Sequence, residues 1–352
     1  MFKWGKRAVD VTAAIIQESQ PAQQALARQT MADIEAIQNK MGQVREAAHR
    51  IIIGQEKVVT QCMMTLLAGG HGLLVGVPGV AKTTLVETIS AVMGMTHRRV
   101  QATPDLMPSD ILGGEVLDTA PDGTRNFRFI KGPVFCQLLL MDEINRASPR
   151  TQAALLQAMQ EGRVTVAGKD YPIPEPFHVF ATQNPLEYEG TYPLPEAQLD
   201  RFMMQIDVPY PDTNNEKKIL LASSGSARAM PNAVINGATL RQAQELTALL
   251  PVGNQVLDAI LRLVQAARPS KENDNPMGSL IHWGPGPRGG IALLKTARAK
   301  ALLEGRLAPS LDDIAQLAQP VLQHRMQLTY AAQADGHSAQ SVIAQMVQDL
   351  VH

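Results

Sequence analysis

The stretch Gly76-Val77-Pro78-Gly79-Val80-Ala81-Lys82-Thr83-Thr84 constrains this 352-residue chain more than any other. It follows a short apolar run, Leu73-Leu74-Val75, and opens a helical pattern from Thr83 to Val92. Glycines let backbone N–H groups turn inward, and the amino end of a helix adds the positive pole of its dipole. A strand, a glycine loop and a helix in that order therefore suit a polyphosphate. In this pattern Lys82 reaches the β- and γ-phosphates of a nucleotide and the Thr83 hydroxyl ligates magnesium, with Thr84 completing the cradle. The strict pattern has glycine directly before the lysine, where Ala81 stands. That departure matters only if the position needs a positive φ.

A second apolar run, Leu138-Leu139-Leu140-Met141, ends in Asp142-Glu143. The two acids are expected at the carboxyl edge of a buried strand, where parallel sheets place their ligands. There Asp142 would hold the magnesium shell and Glu143 would polarise the attacking water as general base. A third run, Phe177 to Thr182, closes on Thr182-Gln183-Asn184-Pro185, whose amides suit a water or a terminal phosphate. The segment Pro195 to Phe202 carries an arginine able to meet transition-state charge, although a surface ion pair is the commoner role for any single arginine.

Unbroken apolar runs separated by helical stretches predict an α/β fold with a parallel sheet covered on both faces. Arg99-Val100-Gln101-Ala102 and Met203 to Val208 read as further strands, and Arg150 to Gln160 as a helix. Two stretches break the alternation. Glu115 to Asp118 and Asn126 to Ile130 flank the turn Pro121-Asp122-Gly123, and Arg163 to Val166 is followed by Gly168-Lys169-Asp170 and Tyr171. Both read as hairpins. Upstream, Ile34, Ile37, Met41 and Val44 recur at helical steps and predict one packed helix face.

Pro209-Tyr210-Pro211-Asp212 marks a boundary. Beyond it the pattern is helical over Glu216–Ser223, Leu240–Leu250, Gln255–Ala267, Gly290–Leu303, Leu311–Gln327 and Ser338–Leu350, with a Pro- and Gly-rich loop from Pro269 to Gly289. The expected division is an amino-terminal helical extension over 1–30, a nucleotide-binding core with two hairpin inserts over 31–212, and an all-α domain over 213–352. No internal repeat is visible.

Composition narrows the function classes. Hydrophobic residues make up 45% and charged ones 18%, enough apolar surface for packed cores. The formal net charge is −1, with no basic stripe, which argues against nucleic acid as the main partner. Pairs such as Arg98-Arg99 and Lys217-Lys218 read as solvated surface. The two cysteines, Cys62 and Cys136, are too far apart in sequence for a metal knuckle and read as buried, reduced thiols. The eight histidines lack metal-ligand spacing. The basic amino terminus is followed by no long apolar core, and no stretch is long enough to cross a bilayer, so the expected location is the cytoplasm without membrane insertion.

Taken together, the motifs resemble those of the AAA+ ATPases, and closely those of the MoxR family. The resemblance rests on the loop Gly76 to Thr83, on Met141-Asp142-Glu143-Ile144-Asn145-Arg146-Ala147, on Ala181-Thr182-Gln183-Asn184-Pro185, on Glu196-Ala197-Gln198-Leu199-Asp200-Arg201-Phe202, and on Gly286-Pro287-Arg288 before a helix. Alanine before the loop lysine is familiar in that family. The resemblance implies a P-loop three-layer αβα domain followed by an all-α lid, with ATP and Mg2+ as cofactors. It puts Asn184 at the sensor-1 position and Arg201 at the arginine finger, which reaches a neighbouring subunit's ATP. Arg288 falls at sensor 2, acting in cis or in trans. Ile53-Gly54-Gln55 matches the segment whose backbone abuts the adenine, and the hairpins match inserts that project toward a central pore or client. The function implied is a chaperone-like remodeller working as a ring, expected to be hexameric. Its separate client protein is of a type that in this family often carries a von Willebrand factor A domain. Two other readings stay open: a nucleic-acid-stimulated motor, for which Arg125, Phe127, Arg128 and Phe129 on the first hairpin speak, and an ATP-binding oligomerisation scaffold with little turnover.

Overall fold

The computed structural model describes residues 31–119, 125–187, 189–223, 230–270 and 275–351. The expected extension over 1–30 and the turn Pro121-Asp122-Gly123 lie outside them. Helix α1 (31–51) buries Ile34, Ile37, Met41 and Val44, the face set by their three- and four-residue spacing. It leads into α2 (Glu56–Leu67), β1 (Gly72–Val75), α3 (Lys82–Val92), β2 (His97–Gln101) and the short α4 (Pro108–Leu112). The first hairpin is β3 (Gly113–Thr119) with β4 (Arg125–Lys131). Then come β5 (Leu138–Asp142), α5 (Pro149–Glu161), the second hairpin β6 (Arg163–Val166) and β7 (Lys169–Pro172), β8 (His178–Gln183), α6 (Glu196–Leu199) and β9 (Met204–Asp207).

The central sheet has the order β2-β5-β8-β1-β9, and every pairing in it is parallel. Its strands carry apolar residues at consecutive positions because both faces are covered. Along β5, Leu138 and Leu140 enter one core with α1, α2 and α3, while Leu139 and Met141 enter a second with α5. Leu74 and Leu73 divide in the same way along β1. The result is the expected three-layer α/β arrangement, with the carboxyl ends of β1, β5 and β8 at one edge.

Beyond β9 follow α7 (Thr213–Ser223), α8 (Gly237–Leu249), α9 (Asn254–Ala266), β10 (Ile281–Trp283), α10 (Pro287–Leu303), α11 (Leu311–Leu322), β11 (Gln327–Leu328), α12 (Tyr330–Ala334) and α13 (Ala339–Leu350). This part is predominantly helical, with one correction. β10 and β11 form an antiparallel pair, so the Pro- and Gly-rich stretch is not wholly a loop and the region is not all-α. The helix expected to run to Gln327 ends at Leu322, passes through a 3-10 turn (Gln323–Arg325), and enters β11. Met326 and Leu328 are both buried at a two-residue spacing, a strand period that a helical reading overruns. These helices add Leu240, Leu293 and Leu317 to the same apolar cluster that holds α2 and α3. Among the described residues, no single helix is long and apolar enough to cross a membrane.

Candidate nucleotide-binding site

The glycine loop leaves the sheet through a tight gap. Gly76 donates its N–H to the Gln183 carbonyl at 3.2 Å, and a Cβ there would lie 2.6 Å from the Val208 carbonyl oxygen. Only glycine passes that strand end. Val77 turns back against the main core. At the far end Ala81, the N-cap of α3, has φ 60 and ψ 27, so the position does take the left-handed conformation that its departure from glycine makes costly. The Lys82 ammonium donates to the Gly76 carbonyl and, at 3.4 Å, to the Gln183 carbonyl. Its partial burial lowers the lysine pKa, opposed by the Asp142, Glu143 and Glu187 carboxylates.

Strand β5 brings the acids to the same edge. Asp142 is buried, and its Oδ2 lies 3.4 Å from the Thr83 hydroxyl. Its Oδ1 accepts from the Thr182 hydroxyl at 2.6 Å, which in turn accepts the Glu143 N–H at 2.8 Å. Thr182 thus links both acids across the β5–β8 pairing. Glu143, at φ 54, presents Oε2 to Gln101 Nε2 at 2.8 Å and to Arg146 Nη1 at 3.1 Å. Asn184, buried one residue past β8, accepts from the Leu186 N–H at 3.1 Å. Thr83 and Asp142 supply hard oxygen donors, which fits magnesium held by few protein ligands and completed by phosphates and water. Among the described residues no cluster of three or more His, Cys, Asp or Glu could hold a metal by itself.

Arg98 and Arg99 are both exposed, as a solvated pair should be, but Arg99 also makes a contact the sequence did not signal. Its Nη2 and Nε reach Asp142 Oδ2 at 2.7 and 3.2 Å. The parallel register sets Gln101 opposite Asp142, and Arg99, two residues earlier on the same face, turns to the same carboxylate. No spacing along the chain signals that contact.

Beside the loop is a cavity of about 620 Å³. Ile53, Pro78, Gly79, Val80, Ala81 and Thr84 border it. Tyr210, Glu216 and Leu220 close its other side and were not foreseen in the sequence. Gln55 also borders it, donating Nε2 to the Val80 carbonyl at 3.0 Å, while its buried Oε1 has no hydrogen-bond partner among the described residues. Gly54 faces away. At φ 74, a Cβ on it would meet the Asn215 side chain at 2.5 Å.

The two predicted arginines are not brought to this pocket. Arg201 and Arg288 share a separate cavity of about 230 Å³ with Lys295 and Arg325. Arg201 Nε donates to Gln160 Oε1 at 3.2 Å, and Arg288 Nη1 lies 3.7 Å from Asp200 Oδ2. The hairpins, separate in sequence, meet through a stacked pair, Phe129 on Tyr171, with ring centroids 4.0 Å apart. The first hairpin exposes Val116, Leu117, Phe127 and Ile130. Cys62 and Cys136 are buried and free, and burial raises both thiol pKa values, that of Cys136 to about 12.

Comparison with known proteins follows the same lines. Residues 71–204 match the model of the ATPase family associated with various cellular activities (AAA), and residues 278–346 match the AAA lid domain. The chain is 42% identical over 300 residues to the Mycobacterium tuberculosis protein named Chaperone MoxR1, covering 85% of this chain and 78% of that one. Protein MoxR of Paracoccus denitrificans is 31% identical over 311 residues, covering 81% of this chain and 88% of its own length. A crystal structure of a putative ATPase from Cytophaga hutchinsonii superposes with a TM-score of 0.84 at 34% identity, covering 92% of this chain and 97% of that one. Sequence, fold and loop geometry agree: the chain belongs to the MoxR family of AAA ATPases, which bind and hydrolyse ATP.

Proposed function

We propose that this ATPase works as a ring, hexameric as expected, that shares each nucleotide between two protomers and remodels a separate client protein. The observation that carries the shared site is the placement of Arg201 and Arg288 in a cavity to which no residue of the glycine loop contributes. An arginine supplied from outside contributes about 10³–10⁵ in rate to phosphoryl transfer. A guanidinium held apart from its own chain's loop serves best at a neighbour's, and we assign both arginines in trans.

On this reading the loop N–H groups and Lys82 hold the phosphates, and Thr83 and Asp142 hold magnesium. The bound metal neutralises charge on the phosphate oxygens. Glu143 takes the proton of the attacking water, and Asn184 orients that water or the γ-phosphate. Ile53 and Gly54 carry the backbone beside the base, and the unpartnered Gln55 Oε1 offers an acceptor to the adenine amine. The proposed division is an extension over 1–30, a nucleotide-binding core over 31–212 and a lid over 213–352, the last cut falling between β9 and α7. The joined, partly apolar hairpins are the proposed client contact, and a von Willebrand factor A domain protein is the proposed client. The name of the M. tuberculosis relative supports a chaperone role. The cytoplasm is the proposed compartment, in keeping with two free cysteines.

Mixing experiments test the shared site. Lys82→Ala is expected to abolish ATP binding, and Arg201→Ala to leave affinity nearly intact while removing turnover. Neither variant alone releases phosphate. Co-assembled, the intact loop of one faces the intact arginine of the other, and activity returns. No recovery at any mixing ratio sinks the shared-site reading. Glu143→Gln, which should bind ATP without turning it over, serves as the trap for recovering the client.

A further inference from the structure

Arg325 has no role in the nucleotide chemistry above, yet it is one of the most deeply buried large side chains in the protein, 2% exposed. It ends the 3-10 turn after α11, within the lid. Its guanidinium reaches out of the lid onto four acceptors of one short segment of the sheet domain. Nε donates to Asp200 Oδ1 at 2.9 Å. Nη2 donates to the Asp200 carbonyl at 3.2 Å and to the Phe202 carbonyl at 2.6 Å. Nη1 donates to the Met203 carbonyl at 3.3 Å and also to the Val321 carbonyl of α11. The four acceptors straddle Arg201. Asp200 takes a second lid arginine, Arg288, at 3.7 Å on its other oxygen.

The chemistry of this clamp is specific. A buried guanidinium is tolerated only while its donors are matched, so the segment cannot slide against the lid without stranding a charge. The planar fork fixes several directions at once, which a lysine's single ammonium cannot do. The segment's N–H groups bond within the sheet domain, to α6 and, from Met203, to the His71 carbonyl at 2.7 Å, while its Asp200, Phe202 and Met203 carbonyls are held from the lid by Arg325.

We infer that Arg325 is a positioning residue that ties the lid to the Arg201 segment of its own protomer, so that lid movement in one subunit aims the arginine presented to the next subunit's nucleotide. This rests on the shared-site reading above. It gives the ring a direction: the state of one protomer's lid is passed to the neighbour that its arginine serves.

Arg325→Lys and Arg325→Met test it in the full-length chain, with Mg·ATP binding and phosphate release as readouts. Both variants are expected to bind ATP like the unaltered protein. Turnover should fall about a hundredfold, the effect of misplacing a catalytic group by roughly 1 Å. Mixed with Lys82→Ala chains, either variant should regain activity, because its loop is intact and its neighbour's Arg201 segment is correctly held. No recovery under conditions where Lys82→Ala and Arg201→Ala chains do recover would put the defect at the variant's own nucleotide and overturn the inference. Loss of ATP binding in both Arg325 variants would overturn it too, assigning the residue to packing. Failure of the Lys82→Ala and Arg201→Ala mixture itself refutes the shared site, and the inference with it.

Discussion

Replacing Ala81 with glycine probes the glycine loop at its one strained position. Ala81 sits at φ 60 and ψ 27, immediately before α3. For a residue with a Cβ, that left-handed conformation costs about 1–2 kcal/mol. Glycine removes the cost but loosens the unfolded chain, which takes back about 0.4–1 kcal/mol. The midpoints leave a net stabilisation of about 0.8 kcal/mol. At about 2–4 °C per kcal/mol for 150–250 residues, that is a rise in Tm of roughly 2 °C. Scanning calorimetry on nucleotide-free protein measures it directly. Ala81→Val supplies the opposite arm, because a β-branched side chain in this region is a steric outlier and should lower Tm. ATP affinity should survive in the glycine variant, since the loop keeps its path. A lower Tm for Ala81→Gly, or an unchanged Tm for Ala81→Val, refutes the left-handed assignment and with it the reason the departure from glycine matters.

Gly76→Ala should weaken ATP binding in a fluorescent-nucleotide titration, because the new methyl would meet the Val208 carbonyl oxygen at 2.6 Å and overpacking of this kind costs about 1–3 kcal/mol. Unchanged affinity would show that the loop does not need this close passage. Thr182→Val keeps the shape but removes the hydroxyl shared by Asp142 and Glu143, and phosphate release should fall by about 10–100-fold, as for other outer-shell partners of a metal site. Wild-type rates in that variant would refute the link. Burial lowers the pKa of His178 to about 4 and that of His71 to about 3, from an ordinary 6.5. The unfolded chain therefore takes up these protons first. Stability from the neutral rings is full above about pH 6.5 and is lost as pH falls toward about 4 for His178 and about 3 for His71, by at most about 1.4 kcal/mol per pH unit for each ring. Urea midpoints across that range should show the slope, and His178→Gln should flatten it. An equal slope in the variant counts against the buried neutral ring.

The sequence by itself determined the features that live within a few residues of each other. The glycine loop, the acids closing an apolar run, and the covered strands follow from backbone sterics and from periods of 2.0 and 3.6 residues. The helix face of Ile34, Ile37, Met41 and Val44 was legible for the same reason. Near its limits the same logic failed, carrying a helix through Gln323–Arg325 and into β11. Ala81 lies between these cases: its identity was plain, but its left-handed φ depends on how the loop must turn between β1 and α3. Only the tertiary structure decided which distant groups meet. Arg99 reaches Asp142 through the β2–β5 register, and Phe129 stacks on Tyr171 across two hairpins. Arg325 clamps the Asp200–Met203 segment from 122 to 125 residues away. Arg201 and Arg288 lie together in one cavity, apart from their own chain's glycine loop. Such meetings depend on strand order and domain docking, which minimise the free energy of the whole chain, and no local spacing encodes them.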